Sequence, residues 1–306
     1  MGHDRPTRIG VIDIGSNAIR CLIAEGRDFV HSKVLIEDRA ALRLGHDAFL
    51  SGEISEEVRL QLLKVFIQWK ILFLKYEVSH IRAVATSALR NSKNQKDICH
   101  QVLTTTGIKI EIINGDEEGR ILRDILYHRL PHVAPKSLCM DIGGGSVEFS
   151  FEEKIFSLPI GTVRLLEKVS SKESEAFRLF LRPHLLRLKS ELLHQKKPTA
   201  LVGTGGNIKS LSRLANRLHL SQSRREFSSF AAHQMTEKLF ALNFQERLVR
   251  LKLNRDRADV ILPASCLVDE TCRIFELTRV HAPQVGLKEG LLMDSFSHFS
   301  PQISSS

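Results

Sequence analysis

The chain has 306 residues, 42% of them hydrophobic and 26% charged, with a net charge of +9 and a pI near 9.4. Those values fit two ordinary globular domains and exclude a disordered chain. The positive surplus attracts anions, and on charge alone nucleic acid, anionic lipid and polyphosphate are all open.

The most apolar helix candidate, residues 65–74, is short and interrupted by Gln68 and Lys70, so no membrane span is expected. The N-terminal MGHDRPTR has no apolar core, so no signal peptide is expected either. Five scattered cysteines (Cys21, Cys99, Cys139, Cys266, Cys272) form no C-x-x-C pair. They read as reduced, mostly buried thiols in a cytoplasmic protein.

In chain order, strands are expected at 8–14, 17–25 and 29–37. Ser55 caps a helix reaching residue 77, with Glu56 and Glu57 where the helix dipole favours acids. A buried strand at 81–85, a helix at 94–106, a strand at 108–112 and a helix from Asp116 follow. The second half starts with a hairpin at 137–152 and a strand at 154–158. A helix over 171–194, bent at Pro183, follows. Leu201 and Val202 lead into a Gly-rich turn and a helix ending near Leu218. Helices dominate from there, the last beginning near Lys288.

Two segments resemble each other: IGVIDIGSNAIRCLIA at 9–24 and LCMDIGGGSVEFSF at 138–151. Each is an apolar strand ending in Asp, a Gly-rich turn and an alternating strand, the pattern of a hairpin. One such hairpin near the start of each half implies two related α/β domains. The division is expected within 120–135.

Three Gly-rich turns follow strands: Gly15-Ser16-Asn17, Gly143-Gly144-Gly145-Ser146 and Gly203-Thr204-Gly205-Gly206. Without a Cβ, successive N–H groups can approach an anion closely. The third turn also opens a helix, whose N-terminal amides add to this. Any one of them alone reads equally as a tight turn.

Asp13 and Asp141 close their strands beside these loops. Each can hold Mg²⁺ through water, or simply accept turn N–H bonds. Glu148, on the strand after the second loop, can share the metal or face solvent. Asp116, Glu117 and Glu118 open a helix in a row. They either stabilise its N-terminus or include a general base that activates water. Arg90, after a buried strand, and Arg20, beside the first loop, can each clamp a phosphate with a planar fork. Lys209 can do so as a point charge. Arg178, Arg182, Arg187, Lys189, Lys196 and Lys197, with Arg213, Arg217, Arg224 and Arg225 further on, are either ordinary wet helix faces or a track for a polyanion.

With these residues in place, the chain resembles the exopolyphosphatase and guanosine pentaphosphate phosphohydrolase (Ppx/GppA) family in its short two-domain form. That family belongs to the superfamily of actin, sugar kinases and acetate kinase. DIGSNAIR, ATSALRNSKN, INGDEEGR, MDIGGGSVEF, IGTVRLLE, GTGGNIKSL and GLKEGLL occur in the family's order over residues 9–292.

The resemblance implies an α/β fold of two actin-like, ribonuclease H-like domains with a cleft between them, at 1–124 and 125–300, and a disordered tail at 301–306. It implies a phosphohydrolase acting on the terminal phosphate of polyphosphate or pppGpp, with Mg²⁺ or another divalent cation. Glu118 matches the catalytic base and Arg90 the basic residue of the A-T-x-x-x-R motif. Asp141 and Glu148 match the metal-associated acids. Ser16, Asn17, Gly144, Gly145 and Ser146 match the phosphate loops, and Gly205 and Gly206 the loop called the adenosine motif in related kinases. No specific nucleic-acid binding and no membrane association are expected, and family members are often homodimers.

Asn114-Gly115 stands where Ser-Gly is usual, and Pro263-Ala264 where Pro-Gly is usual. No counterpart of the C-terminal helical module of long family members is expected after the second domain, and without it tight, processive binding of long polyphosphate is not expected. Alternatives are a kinase of the same superfamily using ATP, a binder of polyphosphate or alarmone without turnover, and an actin-like filament former.

Overall fold

The computed structural model describes residues 6–169 and 174–299. The expected tail at 301–306 lies outside them. The described residues form two compact units, one within Met1–Asn114 and Leu287–Ser306, the other within Gly115–Gly286.

The first unit contains β1 (Thr7–Ile14), β2 (Ile19–Gly26), β3 (Lys33–Ala40), α1 (Leu44–Leu50), α2 (Glu56–Lys75), β4 (His80–Ala85), α3 (Ser87–Arg90), α4 (Gln95–Thr106) and β5 (Ile110–Ile112). The last helix of the chain, α13 (Leu287–Phe299), returns to this unit and packs on β1 and β2. The sheet order is β3-β2-β1-β4-β5. β1, β2 and β3 are antiparallel neighbours, while β4 and β5 run parallel to β1.

The second unit contains α5 (Gly115–Arg129), β6 (Leu138–Ile142), β7 (Val147–Phe151), β8 (Lys154–Leu158), α6 (Thr162–Lys168), α7 (Ser174–Glu191), β9 (Leu201–Thr204), α8 (Gly205–Arg217), β10 (Glu226–Ser228), α9 (Ser229–Phe240), α10 (Phe244–Val249), α11 (Arg255–Ala258), α12 (Ile261–Phe275) and β11 (Arg279–His281). Its sheet, β10-β11-β9-β6-β7-β8, repeats the first plan with one added edge strand. An antiparallel β6-β7-β8 meander is again joined by parallel strands, β9 and β11, beside its first member. The duplicated actin-like plan read from the two Asp-Ile-Gly segments is therefore present in both units.

The units divide at Asn114/Gly115 and again at Gly286/Leu287, whereas the sequence reading placed one division at 124/125. Packing explains the difference. A Cβ on Gly115 would lie 2.3 Å from Ser157 Cβ, and one on Gly119 would lie 2.4 Å from Ile155 Cγ2. α5 therefore sits directly on β8 from its first residue.

Local chemistry accounts for the helix ends. Ser55 Oγ accepts from Val58 N at 3.4 Å and starts α2, as expected. Gly107 ends α4 at φ +73. Asn243 and Glu246 form a reciprocal capping box on α10.

Other elements differ from expectation. The third strand runs 33–40, later than 29–37. α7 continues through Pro183 and ends at Glu191, and its expected start near 171 lies outside the described residues. β10 and β11 interrupt the region expected to be helical, because three-residue strands are too short to show an alternating pattern. Pro263 and Ala264, expected in a turn, lie in the first turn of α12, where proline's missing N–H costs nothing.

Each unit has its own core. The first is built on Phe66, Trp69 and Phe73 from α2 against β1 and β2. The second is built on Phe149 and Phe151 against α7, α8 and α12. Trp69 Nε1 donates to Asp38 Oδ2 at 2.8 Å, which satisfies the indole N–H at the core's edge.

Four of the five cysteines are buried, and all five are free thiols. Burial pushes Cys21, Cys139 and Cys272 up to about 12, and Cys266 in the same direction. At pH 8 these four thiols should resist iodoacetamide in the native protein and react once it is unfolded in urea. Rapid native labelling at any of them, mapped by mass spectrometry, would contradict this packing.

Lys288 of α13 is buried and donates to Glu37 Oε1 at 2.6 Å, with Glu289 Oε1 at 2.8 Å. Burial alone pulls this ammonium down, but Glu289 and Glu37 outweigh it and hold it above the ordinary lysine value of 10.5. A raised basic group stabilises fully below its unfolded value and loses that stabilisation as the pH rises through its folded one. Lys288→Met should therefore cost about 1–3 kcal/mol below that range. The gap to wild type should close only in strong alkali, as read by urea melts at stepped pH.

Candidate functional site

The same hairpin geometry recurs in the two units. Asp13 faces Arg20 across β1–β2, and Asp141 faces Glu148 across β6–β7. The turns close identically: Gly15 N donates to Ala18 O at 3.2 Å, and Gly143 N to Ser146 O at 3.1 Å. Arg20 and Glu148 thus hold matching positions with opposite charge.

In the first unit, Arg20 Nη1 reaches Asp13 Oδ2 at 3.1 Å. Burial raises the Asp13 carboxyl more than Arg20 lowers it. Ser16 is buried, and its carbonyl accepts from Gly45 N at 2.8 Å, which docks the start of α1 on the loop. Asn17 Oδ1 accepts from Arg43 Nε at 2.9 Å. Thr86 N donates to Ile14 O at 3.2 Å, so the chain leaving β4 stays beside the end of β1. α3 follows, and Arg90 Nη1 donates to Ile113 O at 2.7 Å. Asp13, Gly15, Ser16, Asn17 and Arg20 are therefore gathered at one hairpin tip, and Arg90 is anchored at the end of the same unit.

In the second unit the three glycine carbonyls of the loop are all engaged. Gly143 O accepts from Thr162 N, Gly144 O from Val163 N and Arg164 N, and Gly145 O from Gly161 N and Arg164 Nε, at 2.8–3.3 Å. The start of α6 makes these bonds. It comes this close only because position 161 is glycine: a Cβ there would lie 2.4 Å from Gly144 C. Among the described residues, no hydrogen bond uses the N–H of Gly144, Gly145 or Ser146, and all three residues are buried. Three successive buried donors with this geometry suit an anion.

The third loop closes on the same place. Gly205 opens α8 at φ +81, and a Cβ there would lie 2.8 Å from Asp141 Oδ1. Thr204 Oγ1 donates to that same oxygen. Asn207 Nδ2 donates to Ile142 O at 2.9 Å, and Arg257 Nη1 donates to Asn207 Oδ1 at 3.1 Å. The guanidinium of Arg257 lies against Gly206, within 2.4 Å of a Cβ placed there. Lys209 sits one turn further along α8.

Of the three acids opening α5, only Glu118 is buried, at 6% exposure; Asp116 is exposed and Glu117 half-buried. Gly119 brings this turn onto β7 and β8, with its Cβ position 4.0 Å from Glu148 Cβ. Glu148, itself buried, accepts from Ser157 Oγ at 2.8 Å.

Among the described residues, no three His, Cys, Asp or Glu side chains are gathered to hold a metal ion on their own. The donor chemistry nonetheless suits a hard cation that keeps several waters. Asp141 and Glu148 face each other across β6 and β7, and the hydroxyls of Thr204 and Ser157 reach them. Asp13 fits less well, because Arg20 already supplies a positive charge at Oδ2.

The sequence reading missed Arg43, Arg164, Asn207 and Arg257. Arg164 and Asn207 lie inside motifs quoted above, but nothing local says that their side chains return to a glycine loop. Arg257 comes from a separate helix about fifty residues on and left no signal.

A model of the Ppx/GppA phosphatase family matches residues 22–299. Exopolyphosphatase 1 of Mycobacterium tuberculosis is 24% identical over 300 residues, covering 94% of this chain and 87% of that protein. A crystal structure of an exopolyphosphatase from Cytophaga hutchinsonii superposes with a TM-score of 0.83 at 25% identity, covering 95% of this chain and 98% of that one. The Aquifex aeolicus Ppx/GppA family member gives 0.81 at 25% identity, covering 97% and 100%. No described helix is long and apolar enough to cross a membrane. With the family's fold repeated in both units and the match running over nearly all of the chain, the protein belongs to the Ppx/GppA phosphatase family.

Proposed function

We propose that this protein hydrolyses the terminal phosphoanhydride of inorganic polyphosphate, with a guanosine pentaphosphate such as pppGpp as the alternative substrate of the same chemistry. The observation that carries this reading is the row of buried, unused N–H groups at Gly144, Gly145 and Ser146 beside Asp141 and Glu148. Polyphosphate is favoured over the nucleotide because the similar proteins from Mycobacterium tuberculosis and Cytophaga hutchinsonii are named exopolyphosphatases.

In this mechanism the loop amides receive the equatorial oxygens of the terminal phosphate, where negative charge is spread during transfer. In the first unit, Ser16, Asn17, Arg20 and Arg90 are proposed as a phosphate-binding set of their own. In the second, Gly206 and Lys209 add donors to the loop amides, while Gly205, whose N–H donates to Val285 O, leaves room for the Asp141 carboxylate. Asp141 and Glu148 would hold Mg²⁺ or a related divalent cation. The cation would neutralise phosphate charge and polarise the phosphorus. Glu118 orients a water for in-line attack and accepts its proton. Its burial supports this role over that of Asp116 or Glu117, since a base works best with water excluded from all but the reacting molecule.

Two outcomes test the assignment. Glu118→Gln should lose phosphate release by about two to four orders of magnitude while keeping substrate affinity. Near-normal release by this variant, measured with a phosphate-detecting dye, would remove Glu118 from the mechanism.

Gly205→Ala should cost about 1–3 kcal/mol of stability, because an L-residue at φ +81 is strained. It should also lose activity beyond that cost, since the added Cβ displaces the Asp141 carboxylate. A variant that melts lower but turns over normally would show that Asp141 does not need its present position.

A further inference from the structure

The chain has 35 acids in 306 residues, yet residues 192–225 contain none. The same stretch carries seven Lys or Arg residues: Lys196, Lys197, Lys209, Arg213, Arg217, Arg224 and Arg225. At its centre is α8, which starts at the Gly205 loop against Asp141.

Lys209, Arg213 and Arg217 recur every fourth residue, so they form one row along the helix. Arg213 and Arg217 are exposed. Thirteen residues of helix make this row about 20 Å long, counted from the phosphate loop. Ser212 Oγ donates to Arg224 O at 2.6 Å, which brings Arg224 and Arg225 alongside the same helix. Arg217 is steadied by donating to the carbonyls of Leu251 and Lys252.

The other basic helix has a different fate. Arg178 pairs with Glu237 and Asp269, and Arg182 with Glu175 and Glu270. Lys189 donates to Ile274 O, and Lys197 pairs with Glu276. The cations of α7 are thus engaged with acids and a carbonyl, mostly of its neighbours, and Lys197 just beyond it is paired too. By contrast, Arg213, Arg224 and Arg225 make no ion pair with any described residue.

We infer that the α8 row, Arg213 and Arg217 with Arg224 and Arg225 beside it, is a binding track for the distal part of a linear polyphosphate whose end lies at the Gly205 loop. This rests on the polyphosphate reading above and assigns chain-length preference to residues outside the reacting site. Physically, a polyanion gains from each successive cation and releases its own counterions, whereas a short phosphate reaches only the loop.

The test uses the full chain and its variants Arg213→Glu, Arg213→Glu/Arg224→Glu and, as a control for net charge, Arg187→Glu on exposed α7. Binding of long-chain polyphosphate and of tripolyphosphate is measured by calorimetry over a salt series, with phosphate release followed in parallel. Melting temperatures confirm that each variant is folded.

The two α8 variants should weaken long-chain binding several-fold, with the salt slope falling by about one per cation removed. Tripolyphosphate binding and turnover should hold, and Arg187→Glu should behave as wild type. Equal losses for Arg187→Glu, or equal losses on both substrates, would reduce the effect to net charge and overturn the track. Unchanged long-chain binding would overturn it outright. A single-stranded RNA that competes with long polyphosphate at equal affinity would overturn polyphosphate as its occupant. If wild type releases no phosphate from any of these substrates, the hydrolase reading fails, while the calorimetric comparison still decides the track.

Discussion

The second unit's site depends on how the carbonyls of residues 143–145 are spent. A glycine-rich turn left alone offers an anion both donors and repulsive acceptors. Here the first turn of α6 takes every one of the three carbonyls, and Arg164 adds a side-chain bond. The backbone then has a net polarity: the N–H groups of Gly144, Gly145 and Ser146 are used by no described residue, and the acceptors are consumed. That polarity exists only because Gly161 lets two backbones meet at a distance no Cβ would allow. An anion pocket of this kind is preorganised, so little reorganisation remains to oppose binding.

The duplicated hairpin shows how one fold element takes two chemical roles. Position for position, Asp13 matches Asp141, while Arg20 stands where Glu148 stands. In the first unit the acid is answered by a cation within the same hairpin. In the second, two carboxylates face each other, and the hydroxyls of Ser157 and Thr204 reach them. The first hairpin is therefore suited to gripping substrate phosphate through Arg20, and the second to holding a cation. This asymmetry follows from one residue difference on otherwise equivalent backbones.

Much of this was legible in the sequence because it was local. The two Asp-Ile-Gly segments announced the repeated hairpins, and strand-then-helix alternation announced the sheet plan. Ser55 and the acids after it marked the start of α2 within a residue. What escaped was set by contacts distant in sequence. The boundary of the second unit depends on Gly115 and Gly119 packing on β8, and two glycines four apart in a helix carry no such message alone. α13 rejoins the first unit because Lys288 and Asp294 meet Glu37 and Arg82 there. Arg257 reaches Gly206 through Asn207, a bridge between segments with no shared motif. Spacing alone left the three acids before Gly119 equivalent and only the family resemblance singled out Glu118; in the structure it is the buried one of the three.

Burial of Glu118 has a cost in hydration. A carboxylate in the first turn of a helix already gains from the dipole when exposed, as Asp116 does, without losing its hydration. Moving the next acid but one into the interior forfeits that hydration. It is Gly119, the following residue, that makes the move possible, since any side chain there would push α5 off Ile155. A buried acid beside a glycine that draws its turn onto the strand carrying Glu148 is the arrangement that the proposed base at position 118 requires.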